Sequence, residues 1–192
     1  MTGDVRVLLV SGSTRAASTN TAALRTARLV APEGLTAVLY DGLIDLPAFR
    51  PDAEVTNGAV DDLRNQLATA DAVLFCTPEY AGSLPGSLKN LIDWTVGSGE
   101  LYRKPVAWVN VAANGRGGGA SADLAKVLGY VDAAVIEPAC VQLPVHRGAV
   151  GADGTVVDAA FLAGLAGALR TIADWVECAG LCRTALDDPA GV

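Results

Sequence analysis

The sequence predicts an α/β domain with a doubly wound parallel sheet, and two observations support this fold class. Short apolar runs rich in β-branched residues alternate five times with segments whose apolar residues recur at helical spacing. This alternation is typical of a parallel sheet covered by helices on both faces. The chain has 192 residues, a common length for one domain, and neither a repeat nor a linker divides it. We expect residues 1–192 to form a single domain with a frayed tail at 183–192.

Five strands and five helices follow from the pattern. The first strand, residues 5–10, is largely apolar and ends at Ser11-Gly12, as expected of a buried parallel strand. The other strands are expected at 36–40, 72–76, 106–112 and 133–140, and the helices at 20–30, 60–70, 87–96, 122–128 and 161–176. Crossovers in such sheets are right-handed, and ligands bind beyond the carboxyl ends of the strands. The loops after strands one, three and four are therefore the candidate site.

Composition and charge limit the partners. Acidic side chains outnumber basic ones by 21 to 14, so the formal net charge is −7, and this balance disfavours nucleic acid as a partner. A local cradle for a small phosphorylated ligand is compatible with it. No run approaches the roughly 18 apolar residues of a membrane span, and no signal peptide is visible. We expect no membrane partner and a cytoplasmic location.

The cysteines do not suggest a metal site. Cys76 and Cys140 lie in apolar strand-like runs, and Cys178 and Cys182 do not form a Cys-x-x-Cys pair. The single histidine, His146, is far from that second pair in the sequence. Free thiols favour a reducing compartment, in agreement with a cytoplasmic location.

The loop after the first strand has the composition of a phosphate site. Residues 11–21 contain six hydroxyl side chains, one amide and one arginine. A phosphate monoester needs several hydrogen-bond donors, and the first turn of the following helix supplies backbone N–H groups and a positive potential. The segment is neither a Walker loop nor a Gly-x-Gly-x-x-Gly fingerprint. An ordinary capped loop is the alternative, although capping alone would account for only one or two of these residues.

The same segment resembles the first loop of the NAD(P)H-dependent FMN reductase family, Gly-Ser-x-Arg-x-x-Ser-x-Asn. The pattern is complete as Gly12, Ser13, Arg15, Ser18 and Asn20. The resemblance implies a flavodoxin-like fold with strand order 2-1-3-4-5 and FMN as the cofactor. It also implies that this loop holds the FMN phosphate. The candidate phosphate-binding residues are Ser13, Arg15, Ser18, Thr19, Asn20 and Thr21.

The loop after the third strand contains turn residues that suit contact with a flat ring. Pro78 fixes one φ angle and Gly82 permits close approach of the backbone, so N–H groups can point at the heteroatoms of a ring. Tyr80 or Leu84 can supply apolar contact with a ring face. A plain connection between strand and helix is the alternative on spacing alone.

The resemblance extends through this second loop. The family carries Pro-Glu-Tyr-Asn-Gly-Ser-x-Pro-Gly-x-Leu-Lys-Asn-x-Ile-Asp-Trp, and residues 78–94 depart from it only at Ala81, where the family has Asn. The resemblance implies backbone contacts to the flavin ring from Glu79, Tyr80 and Gly82. Ala81 puts any role of the family amide, in ring contact or loop stiffness, in doubt. The candidate ring-binding residues are Pro78, Glu79, Tyr80, Ala81, Gly82 and Ser83.

The loop after the fourth strand is rich in glycine. Four of the five residues 115–119 are glycines, which suggests close approach of the backbone to a flat ligand rather than a plain connection. Gly115, Gly118 and Gly119 match a glycine-rich turn of the family. The candidates for flavin contact are Asn114, Gly115 and Gly118, and Arg116 is a hypothetical contact of the NAD(P)H phosphates.

Residues 40–49 form an unusually apolar loop. The loop either packs on its own domain or, as the resemblance implies for a Leu-Pro-x-aromatic segment, meets a neighbouring subunit near that subunit's flavin. The second alternative predicts a homodimer, or a homotetramer built from dimers.

The resemblance implies the activity of an NAD(P)H-dependent flavin reductase. Electrons pass as a hydride from NADPH or NADH to FMN and on to a small-molecule acceptor, which is a flavin, a quinone, an azo or nitro compound, or a metal oxyanion. No catalytic side chain is expected, because the cofactor carries out the chemistry. A flavodoxin-type electron carrier and a flavin-binding sensor without efficient turnover are alternatives. A serine hydrolase that uses Ser13 or Ser83 with His146 would lack the Gly-x-Ser-x-Gly elbow.

Overall fold

The computed structural model describes residues 4–52 and 58–186, and within these residues the strands form a parallel sheet. Its central strand β1 (Val5–Ser11) pairs with β2 (Leu35–Tyr40) on one side and with β3 (Ala72–Cys76) on the other. β3 pairs with β4 (Pro105–Asn110), and β4 pairs with β5 (Ala134–Val135). The strand order 2-1-3-4-5 confirms the predicted doubly wound, flavodoxin-like sheet.

Helices cover both faces of the sheet. In the described part of the chain they are α1 (Thr19–Leu29), α2 (Gly58–Thr69), α3 (Gly86–Asp93), α4 (Gly118–Tyr130) and α5 (Ala159–Leu186). α1 and α5 pack on one face, and α2, α3 and α4 pack on the other. Along β1, Val7 and Leu9 point into the core beneath α1 and α5, and Leu8 and Val10 point into the core beneath α2, α3 and α4. All four side chains are fully buried. Burial on both faces explains why this strand is apolar at consecutive positions.

The predicted fifth strand is wrong in one respect, because it is not continuous. After β5 the chain makes a 3-10 turn at Glu137–Ala139 and then forms a short strand β6 (Val141–Gln142). Both pieces pair with β4, so they follow the same edge of the sheet. Pro138 explains the interruption, since proline has no N–H group to donate to a neighbouring strand.

The final helix is longer than the sequence pattern predicts. α5 continues to Leu186 and includes residues 183–186 of the predicted tail, whereas residues 187–192 lie outside the described residues. Over residues 159–180 the length and apolar composition of α5 would by themselves suit a membrane span. Phe161 and Leu165 are nevertheless buried against the sheet, so the helix forms part of the core.

The apolar loop at residues 40–49 packs on its own domain at its carboxyl end. The carbonyl oxygen of Pro47 accepts hydrogen bonds from Asn90 Nδ2 at 2.9 Å and from Trp94 Nε1 at 2.8 Å. The backbone N–H of Phe49 donates to Asn90 Oδ1 at 2.8 Å, and its ring meets the Trp94 ring edge-on at 5.1 Å between centroids. Asn90 on α3 and Trp94, which directly follows α3, therefore hold this loop against the domain.

Candidate functional site

The three loops singled out in the sequence meet at the carboxyl ends of β1, β3 and β4, where they line a cleft. The cleft has two adjoining parts of about 530 and 700 Å³. The residues that line both parts are Thr19, Asn20, Pro78, Val111 and Ala112. The glycine-rich loop bounds the smaller part and the first loop bounds the larger part. The separate sequence candidates therefore contribute to one site, at the place where doubly wound sheets bind their ligands.

The amino terminus of α1 forms one end of the cleft. Ser18 caps this helix, since its extended backbone (φ −88°, ψ 129°) lets Oγ accept a hydrogen bond from the N–H of Thr21 at 3.4 Å. The Oγ atoms of Ser11 and Thr21 share a hydrogen bond of 2.8 Å, which ties the end of β1 to the helix. The first turn contains no acidic residue, and its N–H groups have few acceptors within the helix. This end of α1 is therefore suited to an anion.

Arg15 lies exposed on the wall of the same cradle. Its backbone N–H donates to Ser13 Oγ at 3.3 Å, and its Nη2 donates to the carbonyl of Ala17 at 3.1 Å. Among the described residues, no carboxylate forms an ion pair with it. Its positive charge is therefore available to a ligand. Five of the six candidates of the first loop, namely Ser13, Arg15, Ser18, Thr19 and Asn20, line the cleft, whereas Thr21 lines an adjoining pocket of about 250 Å³.

Asn20 has a partner that the sequence did not reveal. Its side chain is buried, and Oδ1 accepts a hydrogen bond from the thiol of Cys76 at 3.3 Å. Burial raises the pKa of the Cys76 thiol well above its ordinary value, so the thiol keeps the proton that it donates. The backbone N–H of Gly12 also donates to the Cys76 carbonyl at 2.9 Å. The end of β3 thus fixes the position of the first loop.

The second loop is closed by a tight turn. The backbones of Tyr80 and Ser83 exchange two hydrogen bonds of 3.0 Å each, and the residues between them, Ala81 and Gly82, have φ angles of 51° and 78°. Two positive φ angles in succession define a type I′ turn, for which Asn-Gly is the preferred pair. The family asparagine therefore suits this backbone better than Ala81 does. Of the two roles considered for the family asparagine at this position, the turn geometry supports loop stiffness.

The glycine-rich loop touches the second loop directly. Glu79 Oε2 accepts a hydrogen bond from the N–H of Ala120, in the first turn of α4, at 3.2 Å. A Cβ atom at position 119 would overlap the carbonyl oxygen of Gly82 and lie 3.0 Å from Glu79 Oε2. Gly119 is therefore required by close approach of the two loops. Ser83 adds another link, since its Oγ donates to Asp123 Oδ2 of α4 at 2.5 Å.

The other candidates of these two loops divide between the cleft and its border. Pro78, Glu79 and Tyr80 line the cleft, and so do Gly115 and Gly118. The border residues, which do not line it, are Ala81, Gly82, Ser83 and Asn114. Ser83 instead lines a groove between α3 and α4. Arg116 lines the smaller part of the cleft.

Sequence reasoning missed Asn110, which organises the glycine-rich loop. At the end of β4, its Oδ1 accepts from the N–H of Ala112 at 3.0 Å and its Nδ2 donates to the carbonyl of Arg116 at 3.2 Å. One side chain thus spans the start and the middle of the loop. A polar residue that ends an apolar strand just before a glycine-rich turn was the available signal.

Sequence reasoning also missed a second wall of the larger part of the cleft. This wall consists of Val145, Val150, Gly151, Ala152 and Gly154, which follow β6.

His146 is exposed and does not line the cleft. The hydroxyl of Ser83 donates to Asp123, so Ser83 is not paired with His146 as the serine hydrolase alternative would require.

The donor set of the cleft fits FMN. A phosphate monoester suits the hydroxyl-rich first loop, the capped amino terminus of α1 and the guanidinium of Arg15. The first turn of α1 contains no acidic residue that would repel the phosphate. A flat ring suits the smaller part of the cleft, between Pro78-Glu79 and the glycine-rich loop, because glycines without side chains line one of its walls.

Comparison with known proteins agrees with this geometry. The model of the NADPH-dependent FMN reductase family matches residues 5–148, which include all three loops. The chain belongs to this family. It is 36% identical to an NAD(P)H-dependent FMN reductase of Pseudomonas aeruginosa over 164 residues, or 82% of this chain and 88% of the relative. It is 30% identical to a quinone reductase of Escherichia coli over 185 residues, or 92% of this chain and 98% of the relative.

A solved structure shows the same relationship. The flavoenzyme NAD(P)H:(acceptor) oxidoreductase of Paracoccus denitrificans superposes with a TM-score of 0.78 at 30% identity, covering 90% of this chain and 97% of that one. This FMN reductase family member is therefore an oxidoreductase whose cofactors are FMN and NAD(P)H. The flavodoxin-type carrier and the sensor are not favoured.

Proposed function

We propose that the cleft binds FMN, with the phosphate at the amino terminus of α1 and the flavin ring between the second and the glycine-rich loops. The observation that carries this proposal is the convergence of all three family loops on one cleft at the carboxyl ends of β1, β3 and β4. The proposed phosphate contacts are Ser13, Arg15, Ser18, Thr19, Asn20 and Thr21. The proposed ring contacts that line the cleft are Pro78, Glu79, Tyr80, Gly115 and Gly118, and those proposed at its border are Ala81, Gly82, Ser83 and Asn114.

The protein's part in the reaction is to bind and orient. When bound, FMN supplies a ring that takes a hydride from NAD(P)H and passes electrons to an acceptor. The proposed place of the flavin ring lies between the second and the glycine-rich loops. The backbone hydrogen bonds of Tyr80 and Ser83 fix the second loop, and those of Asn110 fix the glycine-rich loop. This place is called the ring seat below. No side chain is required as an acid or base. The half-exposed ring of Tyr80 offers an aromatic surface on which a flat substrate can stack.

The acceptor is a small molecule, and we propose that quinones are among its substrates. The Escherichia coli relative is a quinone reductase and is matched over almost its whole length. Flavins, azo and nitro compounds and metal oxyanions are the other candidates. We also propose that Arg116 contacts the phosphates of the dinucleotide, because it lines the smaller part of the cleft beside the ring seat. NADPH and NADH are both candidates for the electron donor.

The FMN site is tested by titrating the apoprotein with FMN and with riboflavin, which lacks the phosphate. Stoichiometric FMN binding with much weaker riboflavin binding would support the cradle. Equal affinities would contradict it. A steady-state assay with NADPH, NADH and a set of quinones then tests the donor and acceptor, and turnover that requires FMN but reduces none of the quinones would reject only the acceptor proposal.

We propose that a second copy of the chain covers the groove between α3 and α4, which gives a homodimer. The groove has a volume of about 710 Å³, and its apolar lining is Leu84, Ile92, Val96, Val127, Tyr130 and Val131. Val96 and Tyr130 are 60% and 84% exposed and line this same groove, and contiguous exposed apolar surface marks sites of protein contact.

The charges around this groove are balanced, and Lys89 and Asp93 form an ion pair of 2.6 Å within the chain. Lys89 and Asp93 lie on α3, and Asp123 and Lys126 lie on α4, so the groove carries two charges of each sign although the chain as a whole carries −7. A two-fold axis requires a patch that matches itself. Further association of such dimers would give the homotetramer.

A charge introduced at the groove tests the dimer. We expect the wild type to sediment as a dimer or tetramer and Val96→Asp to sediment as a monomer. Val157→Asp is the matched control, since Val157 is 66% exposed and lies outside the groove. A monomeric wild type, or a Val96→Asp variant that stays dimeric, would contradict the proposal.

We also propose that the chain is a single domain located in the cytoplasm. Three described cysteines, Cys76, Cys140 and Cys178, are free thiols, which favours a reducing compartment. Cell fractionation tests the location, and recovery of the protein from an oxidising compartment would contradict it.

A further inference from the structure

Arg25 lies beside the phosphate cradle, although no motif includes it. It stands on α1 one turn beyond Thr21, and its side chain is exposed. Like Arg15, it lines both the larger part of the cleft and the adjoining 250 Å³ pocket. Side chains on a helix lean toward its amino terminus, which places Arg25 on the side of α1 that faces these pockets.

A hairpin at residues 150–156 lies beside Arg25. The hairpin is closed by the pairing of Val150 with Val156. It is fixed to α1 by the hydroxyl of Thr26, which is buried, accepts from the N–H of Val156 at 2.8 Å and donates to the Ala22 carbonyl at 2.8 Å. The wall of the cleft is thus anchored to the same helix that carries Arg25.

Gly154 marks the place where the hairpin meets the arginine. A Cβ atom at this position would lie 3.1 Å from Arg25 Nη1, and the residue has a φ of 76°. The guanidinium therefore occupies the space beside a residue without a side chain. The hairpin therefore packs against Arg25 at the border of the cleft.

The lining of the larger part of the cleft carries a charge opposite to that of the chain, whereas Asp41 also lines the adjoining 250 Å³ pocket. The larger part of the cleft is lined by two arginines and by no aspartate or glutamate among the described residues, although the net charge of the chain is −7. In the same part of the chain, neither arginine forms an ion pair. A phosphate monoester carries about −1.5 to −2 charges at neutral pH, more than one guanidinium balances.

We infer that Arg25 is a second cationic contact of the FMN phosphate, opposite Arg15, and that the hairpin at residues 150–156 confines its guanidinium there. This inference rests on the proposed FMN site. The partner of Arg25 is the FMN phosphate rather than the dinucleotide phosphates for two reasons. Arg25 lies on α1, the helix that Ser18 caps, and it lines the same two pockets as Arg15. Arg116, the proposed dinucleotide contact, lines the other part of the cleft.

The test compares Arg25→Ala with Arg28→Ala in the apoprotein. Arg28 is an exposed arginine one turn further along α1 and does not line the cleft, so it controls for lost charge and altered helix stability. FMN and riboflavin affinities are measured by fluorescence titration, and far-UV circular dichroism checks folding. For Arg25→Ala we expect the Kd for FMN to rise about 10- to 100-fold, as for a lost hydrogen bond to a charged group. The Kd for riboflavin should change less than about twofold, and Arg28→Ala should alter neither.

Each other outcome overturns the inference in a recognisable way. An unchanged FMN affinity in Arg25→Ala, with normal FMN binding by the wild type, rejects the role of Arg25 and leaves the FMN site intact. Equal losses for FMN and riboflavin would assign Arg25 to the fold. A raised KM for NADPH with unchanged FMN affinity would assign it to the dinucleotide. A wild type that binds no FMN rejects this inference together with the proposed function.

Discussion

Tyr80 and Ser83 exchange both of their backbone hydrogen bonds, each 3.0 Å long, around two residues with positive φ. The pair closes the second loop into a type I′ turn beside the cleft. The Oγ of Ser83 is hydrogen-bonded to Asp123 on α4, so the turn is anchored to the helix that follows the glycine-rich loop. The position at which this chain departs from the family motif, Ala81, is one of the two turn residues.

Replacing Ala81 by asparagine should therefore stabilise the protein. Alanine in the left-handed region costs about 1–2 kcal/mol, and asparagine tolerates that region better. We expect Ala81→Asn to raise the free energy of unfolding by about 1 kcal/mol in urea titrations. Ala81→Val is the matched comparison, and it should lower stability because a β-branched side chain fits this backbone poorly. Equal stability of all three proteins would contradict the turn assignment.

Arg15 should contribute strongly to FMN affinity. Its guanidinium has no carboxylate partner in the described part of the chain and lies on the cleft wall. We expect Arg15→Ala to weaken FMN binding by roughly 1.5–3 kcal/mol, the range for a hydrogen bond to a charged group. Isothermal titration calorimetry of the apoprotein measures the change. Arg170→Ala, at an exposed position on α5, is the control, and an unchanged affinity in Arg15→Ala would reject the cradle.

Gly119 should tolerate no side chain, in contrast to Gly129 on the same helix. A Cβ at position 119 would overlap the Gly82 carbonyl oxygen, whereas a Cβ at position 129 would have no neighbour within 4 Å. We expect Gly119→Ala to separate the two loops and to reduce FMN affinity at least tenfold. Gly129→Ala should leave affinity unchanged and stabilise α4 by up to about 1 kcal/mol. Normal affinity in Gly119→Ala would show that close contact of the loops is not needed.

The buried thiols should make stability fall at alkaline pH. Burial raises the pKa of Cys76 far above its ordinary value of 9.0, and partial burial raises that of Cys140 to about 11. Such thiols lose their protons more readily in the unfolded chain, so their contribution to stability is complete below pH 9 and decreases as the pH rises above 9. The loss due to Cys140 should be complete above about pH 11.

Unfolding in urea at several pH values between 8 and 11 measures this loss. We expect Cys76→Ala to reduce the steepness of the decline by up to about 1.4 kcal/mol per pH unit. Cys178→Ala is the control for the loss of a thiol at an exposed position. The same decline in Cys76→Ala and wild type would contradict the burial argument.

The fold and the three loops could be predicted because they depend on local sequence. Short apolar runs predict buried strands. The polar and glycine-rich residues that follow these strands predict the position of the site. Helix ends were less accurate: α4 begins at Gly118 rather than at residue 122, since glycines that favour loops also form its first turn. Pro138, which interrupts the last strand, was visible in the sequence but its effect was not anticipated.

The features that the sequence did not predict depend on contacts between distant residues. The hairpin at residues 150–156 becomes a wall of the cleft only because Val156 is held by Thr26, which is 130 positions away. Likewise, Asn20 meets Cys76 across 56 positions. No periodicity or spacing encodes such pairs. The role of Asn110 was missed for a related reason, since it depends on the path of the loop that follows it.

The most direct test of the central claim is an anaerobic absorbance measurement on the purified protein, first with one equivalent of FMN and then with NADPH or NADH. We expect a bound-flavin spectrum that bleaches when either dinucleotide is added and returns when a quinone follows. A flavin that remains free in solution, or bound flavin that neither dinucleotide reduces, would contradict the assignment of the cleft as the site of FMN reduction.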